Sequence, residues 1–166
     1  MKKLHFLVVV VLLFFSCNRV QKGEKIVEVA SPEISSLEWV KKSTVNSKAA
    51  AILTTWPEYN AFDSSLDALY DGKNMQDIAI GIEDLINQQK LLLKSEYPED
   101  FNVPQIKSRQ KVLGTYLLKT KAHLEYGLPI QEVLDELLVA NNAMRNQFNV
   151  TVNNPLNNSL TLEETN

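Results

Sequence analysis

VNSKAAAILTTWPEYNAFDSSLDALY, residues 45–70, is the stretch on which the fold turns. Apolar side chains recur at Val45, Ala49, Ile52, Trp56, Tyr59, Phe62, Leu66 and Leu69 or Tyr70. These are steps of three and four sustained for about seven turns, the period of a helix with one buried stripe and not the alternation of a strand. Pro57 falls inside the stretch. A proline in a helix removes the bond to the residue four back and clashes with that turn. The stripe keeps its phase across Pro57, so the expectation is one helix over residues 46–70, kinked at Pro57 and ended by Asp71-Gly72.

The same period continues downstream. Met75, Ile78, Ala79, Ile82, Leu85, Ile86, Gln89 and Leu93 predict a second helix over residues 74–95, with Ile80 and Leu91 off its core face. Residues 97–104 hold two prolines, which end one helix and prepare the next, with Phe101 and Val103 placed to plug the end of the core. A third helix over residues 104–126 buries Ile106, Leu113, Leu117 and Leu124, with Val112, Tyr116 and Thr120 beside that line, and stops at Gly127. A fourth, from residue 129 to 149 or 151, carries Ile130, Val133, Leu134, Leu137, Ala140 or Asn141, Met144 and Phe148. Upstream, Ser31-Pro32-Glu33 has the makings of a helix start, and Ile34, Leu37 and Val40 follow at helical spacing. A short helical segment is therefore expected before the first long helix. Four amphipathic helices with short connections imply an all-α, antiparallel up-down-up-down four-helix bundle over residues 31–152, with residues 153–166 a polar, disordered tail.

Charge fits that arrangement. The third helix carries Lys107, Arg109, Lys111, Lys119 and Lys121 against Glu125. Its neighbours carry Asp77, Glu83 and Asp84 on one side and Glu132, Asp135 and Glu136 on the other, so the expectation is cross-helix pairing worth ~0.2–1 kcal/mol per exposed pair. Asp63 and Asp67, at i and i+4, are the best paired carboxylates and are expected to be solvated on an exposed face. Acid–base work would need one of them in a cleft with a raised pKa.

The scarce residues exclude more than the common ones admit. The chain has 166 residues and a formal charge of −3, enough for one domain with a real core and no basis for binding nucleic acid. Cys17 is the sole cysteine, so no disulfide can form within the chain. The two histidines are His5 and His123, and a zinc site with two or three histidine ligands would need both. GxGxxG, GxxxxGK[ST], GxSxG, HExxH, CxxCH and paired Glu-x-x-His are all absent. The sequence therefore predicts no catalytic residues, no resident cofactor and no enzyme.

The N-terminus assigns a compartment. Lys2 and Lys3 precede an uninterrupted apolar run at residues 7–15, then Ser16 and Cys17. About 20 apolar residues are needed to span a bilayer, so nine read as a secretory signal and not as an anchor. The ending resembles the lipobox of bacterial lipoproteins, with Phe14 where that pattern has leucine. The resemblance implies removal of residues 1–16, acylation of Cys17 as the new N-terminus, and a lipidated tether over residues 17–30. Asn18 stands where aspartate would mark inner-membrane retention, so the expected location is the cell envelope, lipid-anchored in the outer membrane and facing the periplasm.

One end of the bundle is the place for a ligand. Up-down topology gathers Tyr70, Met75, His123 and Tyr126 there, and four-helix cytochromes of b type hold haem between a methionine and a histidine at such an end. Those ligands come from the first and last helices, whereas here they would come from the second and third. Two functional expectations follow. The first is a non-enzymatic envelope lipoprotein that engages the membrane through its anchor and a protein partner through the bundle. The second is a small-ligand, haem or metal carrier using the Tyr70/Met75/His123/Tyr126 end.

Overall fold

The computed structural model describes residue 34 and residues 37–154. The expected signal segment, Cys17, the tether, the Ser31 helix start and residues 155–166 lie outside the described residues. The described chain is an all-α bundle, with helices α1 (Ser47–Leu53), α2 (Pro57–Tyr70), α3 (Met75–Lys94), α4 (Pro104–Glu125) and α5 (Gln131–Asn153). A 3₁₀ turn, Glu99–Phe101, joins α3 to α4.

Local chemistry sets the helix ends. The Asn46 side chain accepts from the Ala49 amide, and Asn74 accepts from the Asp77 amide, each satisfying a donor that a helix start leaves open. Pro57 and Pro104 occupy the first helical position, where a missing N–H costs nothing. α4 ends with Gly127 at φ +63°, the Leu128 amide donating to the His123 carbonyl (2.8 Å) and the Gly127 amide to Leu124 (3.3 Å). This pair of bonds needs a left-handed residue after the helix, which glycine adopts without strain.

From α2 to α5, successive helices run antiparallel. Trp56 Nε1 donates to Ser95 Oγ at one end of α2 and α3, while Leu69 meets Gly81 near the other. Gln89 on α3 reaches the Gln110 carbonyl on α4, and Lys121 on α4 reaches Glu83 on α3. Thr120 on α4 bonds the Val133 carbonyl on α5, and Lys119 pairs with Glu136. The expected pairing across α4 thus holds for Lys119 and Lys121. The core is aliphatic through its middle and aromatic at the end where Trp56, Tyr59, Phe101 and Phe148 meet, with Phe148 4.7 Å from Phe101 and 5.2 Å from Tyr59 between ring centroids. Phe101 and Val103 are buried as expected, and Ile80 and Leu91 are exposed.

Two expectations are corrected. The first long helix is broken at Pro57, not kinked. α1 stops at Leu53, Trp56 takes an extended backbone (φ −107°, ψ 92°), and α2 starts afresh at Pro57. The residue before a proline is pushed out of the helical region by the proline ring, and here that decides the matter. The Thr54 hydroxyl donates to the Ala51 carbonyl, and the Ile52 carbonyl accepts from both the amide and the hydroxyl of Thr55, so the open end of α1 is closed locally. The apolar stripe is nonetheless buried on both sides of the break, at Ala49 and Leu53 and at Tyr59, Phe62 and Leu66.

The second correction concerns what precedes α1. Residues 37–46 are not helical but form an extended strap. The strap lies between α2 and α5 and bonds to both. On α5, three amides grip its backbone. Gln131 exchanges two bonds with Glu38, accepting from its N–H (3.0 Å) and donating to its carbonyl (2.7 Å). Asn142 accepts from the Ser43 amide (2.7 Å) and donates to the Lys41 carbonyl (2.8 Å). Asn149 accepts from the Asn46 amide (2.7 Å) and donates to the Thr44 carbonyl (3.1 Å). On α2, Lys42 pairs with Asp67 (2.6 Å) and Asp63 (2.9 Å), and Tyr70 donates to the Val40 carbonyl. Strap and helix run parallel, and their lengths agree. Eight extended steps from residue 38 to 46 cover about 26 Å, and eighteen helical steps from 131 to 149 cover about 27 Å.

Candidate functional site

A groove of about 720 Å³ lies between α4 and α5. Arg109, Val112 and Tyr116 form its α4 wall at helical spacing. Glu132, Asp135, Glu136 and Val139 rise on the α5 side, over a floor of Ala140 and Ala143. The hollow exists because these two alanines stand where larger side chains would fill the space between the helices. Val139 is 56% exposed and Val112 41%, so the groove presents apolar surface to solvent. Its rim is mostly acidic. Asp135 accepts from Gln131 Nε2 (2.8 Å) and Glu136 holds Lys119, while Arg109 stands at the opposite end.

The sequence did not single out this groove. Val112 and Tyr116 read as flanking the core line of α4, and Val139 lies off the stripe of α5. The available signal was the second line Arg109-Val112-Tyr116 beside the first, an apolar arc wider than one contact face requires.

The expected end-of-bundle site is brought together in part. Met75 and His123 line one pocket of about 200 Å³ with Gln76, Ala79, Leu124, Gly127, Leu128 and Ile130. His123 Nδ1 lies 2.7 Å from the Pro129 carbonyl oxygen. A carbonyl can only accept, so Nδ1 carries the proton and the Nε2 lone pair is left for another partner. The other two residues go elsewhere. Tyr70 belongs to the strap, its ring 5.0 Å from Trp39 between centroids, and Tyr126 is 77% exposed. Small-molecule sites occupy ~300–1,000 Å³. The Met75/His123 pocket lies below that range.

Asp63 and Asp67 are not merely solvated. Asp63 accepts from Arg145 Nη1 (2.8 Å), the same nitrogen that donates to Tyr59 OH (3.0 Å), while Arg145 Nε donates to the Ser43 carbonyl (2.6 Å). Burial, and then the Asp63 charge beside it, pushes the Tyr59 phenol far above its usual range, and Arg145 opposes that rise. Lys42, Asp63, Asp67, Arg145 and Tyr59 thus form one network that fastens the strap. It is a structural use of the carboxylates, with each one paired to a cation.

Elsewhere polar groups are buried with less support. Gln110 accepts from Tyr97 OH, but its Nε2 finds no partner among the described residues, and neither amide atom of fully buried Asn141 does. Among the described residues, no group of three or more His, Cys, Asp or Glu side chains is arranged to hold a metal ion, and no helix is long and apolar enough to cross a membrane. Protein-family models, curated proteins and solved structures give no match to this chain.

Proposed function

We propose that this chain is a lipid-anchored envelope protein whose bundle is a non-enzymatic interaction module, and that the α4–α5 groove receives an amphipathic helix of a protein partner. The observation that carries this reading is the groove itself: an apolar floor at Ala140 and Ala143, exposed Val112 and Val139, and an acidic rim. A helix seated there would place an apolar stripe against the floor and lysines or arginines beside Glu132 and Asp135. The Lys2/Lys3 start, the short apolar run and Cys17 support the anchored half of the proposal. More than one acyl chain at Cys17 would make attachment durable, since each buried methylene contributes ~0.8 kcal/mol.

The test is a photo-reactive side chain at Val139, irradiated in intact membranes. The expected result is one defined adduct that disappears when Glu132 and Asp135 are both changed to lysine. Adduct formation indifferent to that charge reversal, or equal to that from a probe at exposed Val150, would remove the groove from the proposal.

A second reading is favoured by one observation, the pocket that His123 and Met75 line together, with His123 held by its Nδ1 contact to the Pro129 carbonyl. A thioether and a neutral imidazole suit a soft cation such as Cu(I). On this reading the protein is a metal carrier. Native mass spectrometry after incubation with Cu(I) should then show one added copper that Met75→Leu abolishes; an unchanged mass ends it.

A further inference from the structure

We infer that the cleft between α2 and α5 is a binding site for extended peptide, and that residues 37–46 of a second copy of this chain can occupy it as the chain's own strap does. The inference is independent of the α4–α5 groove. Its first ground is how the cleft reads its occupant. Gln131, Asn142 and Asn149 each engage both a backbone N–H and a backbone carbonyl of the strap. Such pairs recognise extended main chain, as the open edge of a sheet does, and are indifferent to side chains. Selection comes from a lysine between Asp63 and Asp67, an aromatic ring on Tyr70, and apolar side chains at the places of Leu37, Val40 and Val45, which pack against the core.

The second ground is how shallowly the occupant is rooted. Of residues 37–46, Leu37 alone is fully buried, while Trp39, Val40 and Val45 pack half-buried against the core and the others are half-buried or exposed. The cleft walls, α2 and α5, hold their own buried residues in common, Phe62 and Leu66 with Leu137 and Phe148. The strap can therefore leave while those helices stay packed, and it leaves a preformed site behind. The third ground is covalent distance. The side chains of α5 that hold the strap lie 93 to 105 residues further along the chain. No bond in the clasp depends on short-range connectivity, so an identical segment from another copy makes every one of them. The occupant is a second copy because the cleft's Asp63/Asp67 pair and Tyr70 ring are matched by Lys42 and Trp39 of this same sequence.

The experiment uses full-length chains. Chains with a photo-reactive residue at Trp39 and one affinity tag are mixed with unmodified chains bearing another tag, incubated, and irradiated. The expected product joins residue 39 of one chain to α2 of the other, and its yield falls at least tenfold when the acceptor chain carries Asn142→Ala and Asn149→Ala. In parallel, a fluorescent synthetic peptide of residues 37–46 is titrated into the unmodified full chain. Saturable binding is expected, with at least a tenfold loss when the peptide's lysine at position 42 is replaced by alanine. That arm changes no residue of the protein, so it stands even if the double variant unfolds. Adducts confined to single chains, inter-chain adducts indifferent to the asparagine changes, or a peptide that does not bind at millimolar concentration would each overturn the inference.

Discussion

Asn141 and Asn142 are neighbours on α5 with opposite fates. Asn142 turns toward the strap and satisfies both ends of its amide on the Lys41 carbonyl and the Ser43 N–H. Asn141 turns into the core and satisfies neither. The contrast holds for the two faces of the helix. The core face carries Leu134, Leu137, Leu138, Met144 and Phe148, where affinity is non-directional and any well-fitting apolar group would serve. The strap face carries Gln131, Asn142, Arg145 and Asn149, where each contact is a hydrogen bond of fixed geometry. The first face supplies stability and little orientation; the second fixes where an extended segment lies and contributes less energy.

That contrast can be broken most severely at Arg145. Arg145→Met keeps the stem and removes the charge, leaving Asp63 without its guanidinium and the Tyr59 hydroxyl and Ser43 carbonyl without their donor. A charge-assisted hydrogen bond contributes ~1.5–3 kcal/mol, and Asp63 keeps some access to water and to Lys42, so the expected loss is ~2–3 kcal/mol in urea denaturation. An unchanged midpoint would mean that the network merely decorates the surface. The core face makes the opposite prediction. Asn141→Leu replaces an unpartnered buried amide by an apolar group of similar size and should stabilise the fold by ~1–2 kcal/mol. Destabilisation would show that the asparagine has a partner.

The smallest effect is in alkaline solution. Tyr59 holds its proton in the fold while the unfolded chain releases it near pH ~10. The folded state therefore binds more protons above that point, so stability is full below about pH 10 and falls as pH rises toward the folded value. Tyr70 and Tyr97 are raised chiefly by burial, and Lys119 and Lys121 by hydrogen bonds to Glu136 and Glu83, so all four act in the same direction. Tyr59→Phe should flatten the fall in melting temperature above pH 10. A slope identical to that of the unmodified chain would place the Tyr59 hydroxyl in water.

The apolar half of this contrast was legible in the sequence and the polar half was not. Ile78, Ile82 and Leu85, or Val133, Leu137, Met144 and Phe148, announce their helices because burial imposes a period that a single helix displays by itself, although near the end of α3 the buried residue is Leu92 and the expected Leu93 is exposed. The convergence of Met75 and His123 was legible for the same reason, since topology follows from helix count and short connections. The strap was not. Ile34 is in a 3₁₀ turn whose carbonyl accepts from the Leu37 amide, but the helical spacing does not carry on through Val40, and the groups that hold residues 37–46 extended lie on α5, where Asn142 and Asn149 look like ordinary surface amides. The break at Trp56 turned on a competition that periodicity does not register. A phase-preserving stripe is equally served by one kinked helix or by two, and the residue before proline settles it. The α4–α5 groove was hidden because a hollow belongs to two helices together, and Ala140 and Ala143 read as unremarkable members of one.

The strap also sets an order of events during synthesis. Glu38 must wait for Gln131, and Asn46 for Asn149, so the first described segment to be made is the last that can dock. At ~5–20 residues per second, the ~100 residues between them take roughly 5–20 s to appear. Throughout that interval the N-terminal end has no seat, and the newly made helices can pack without it.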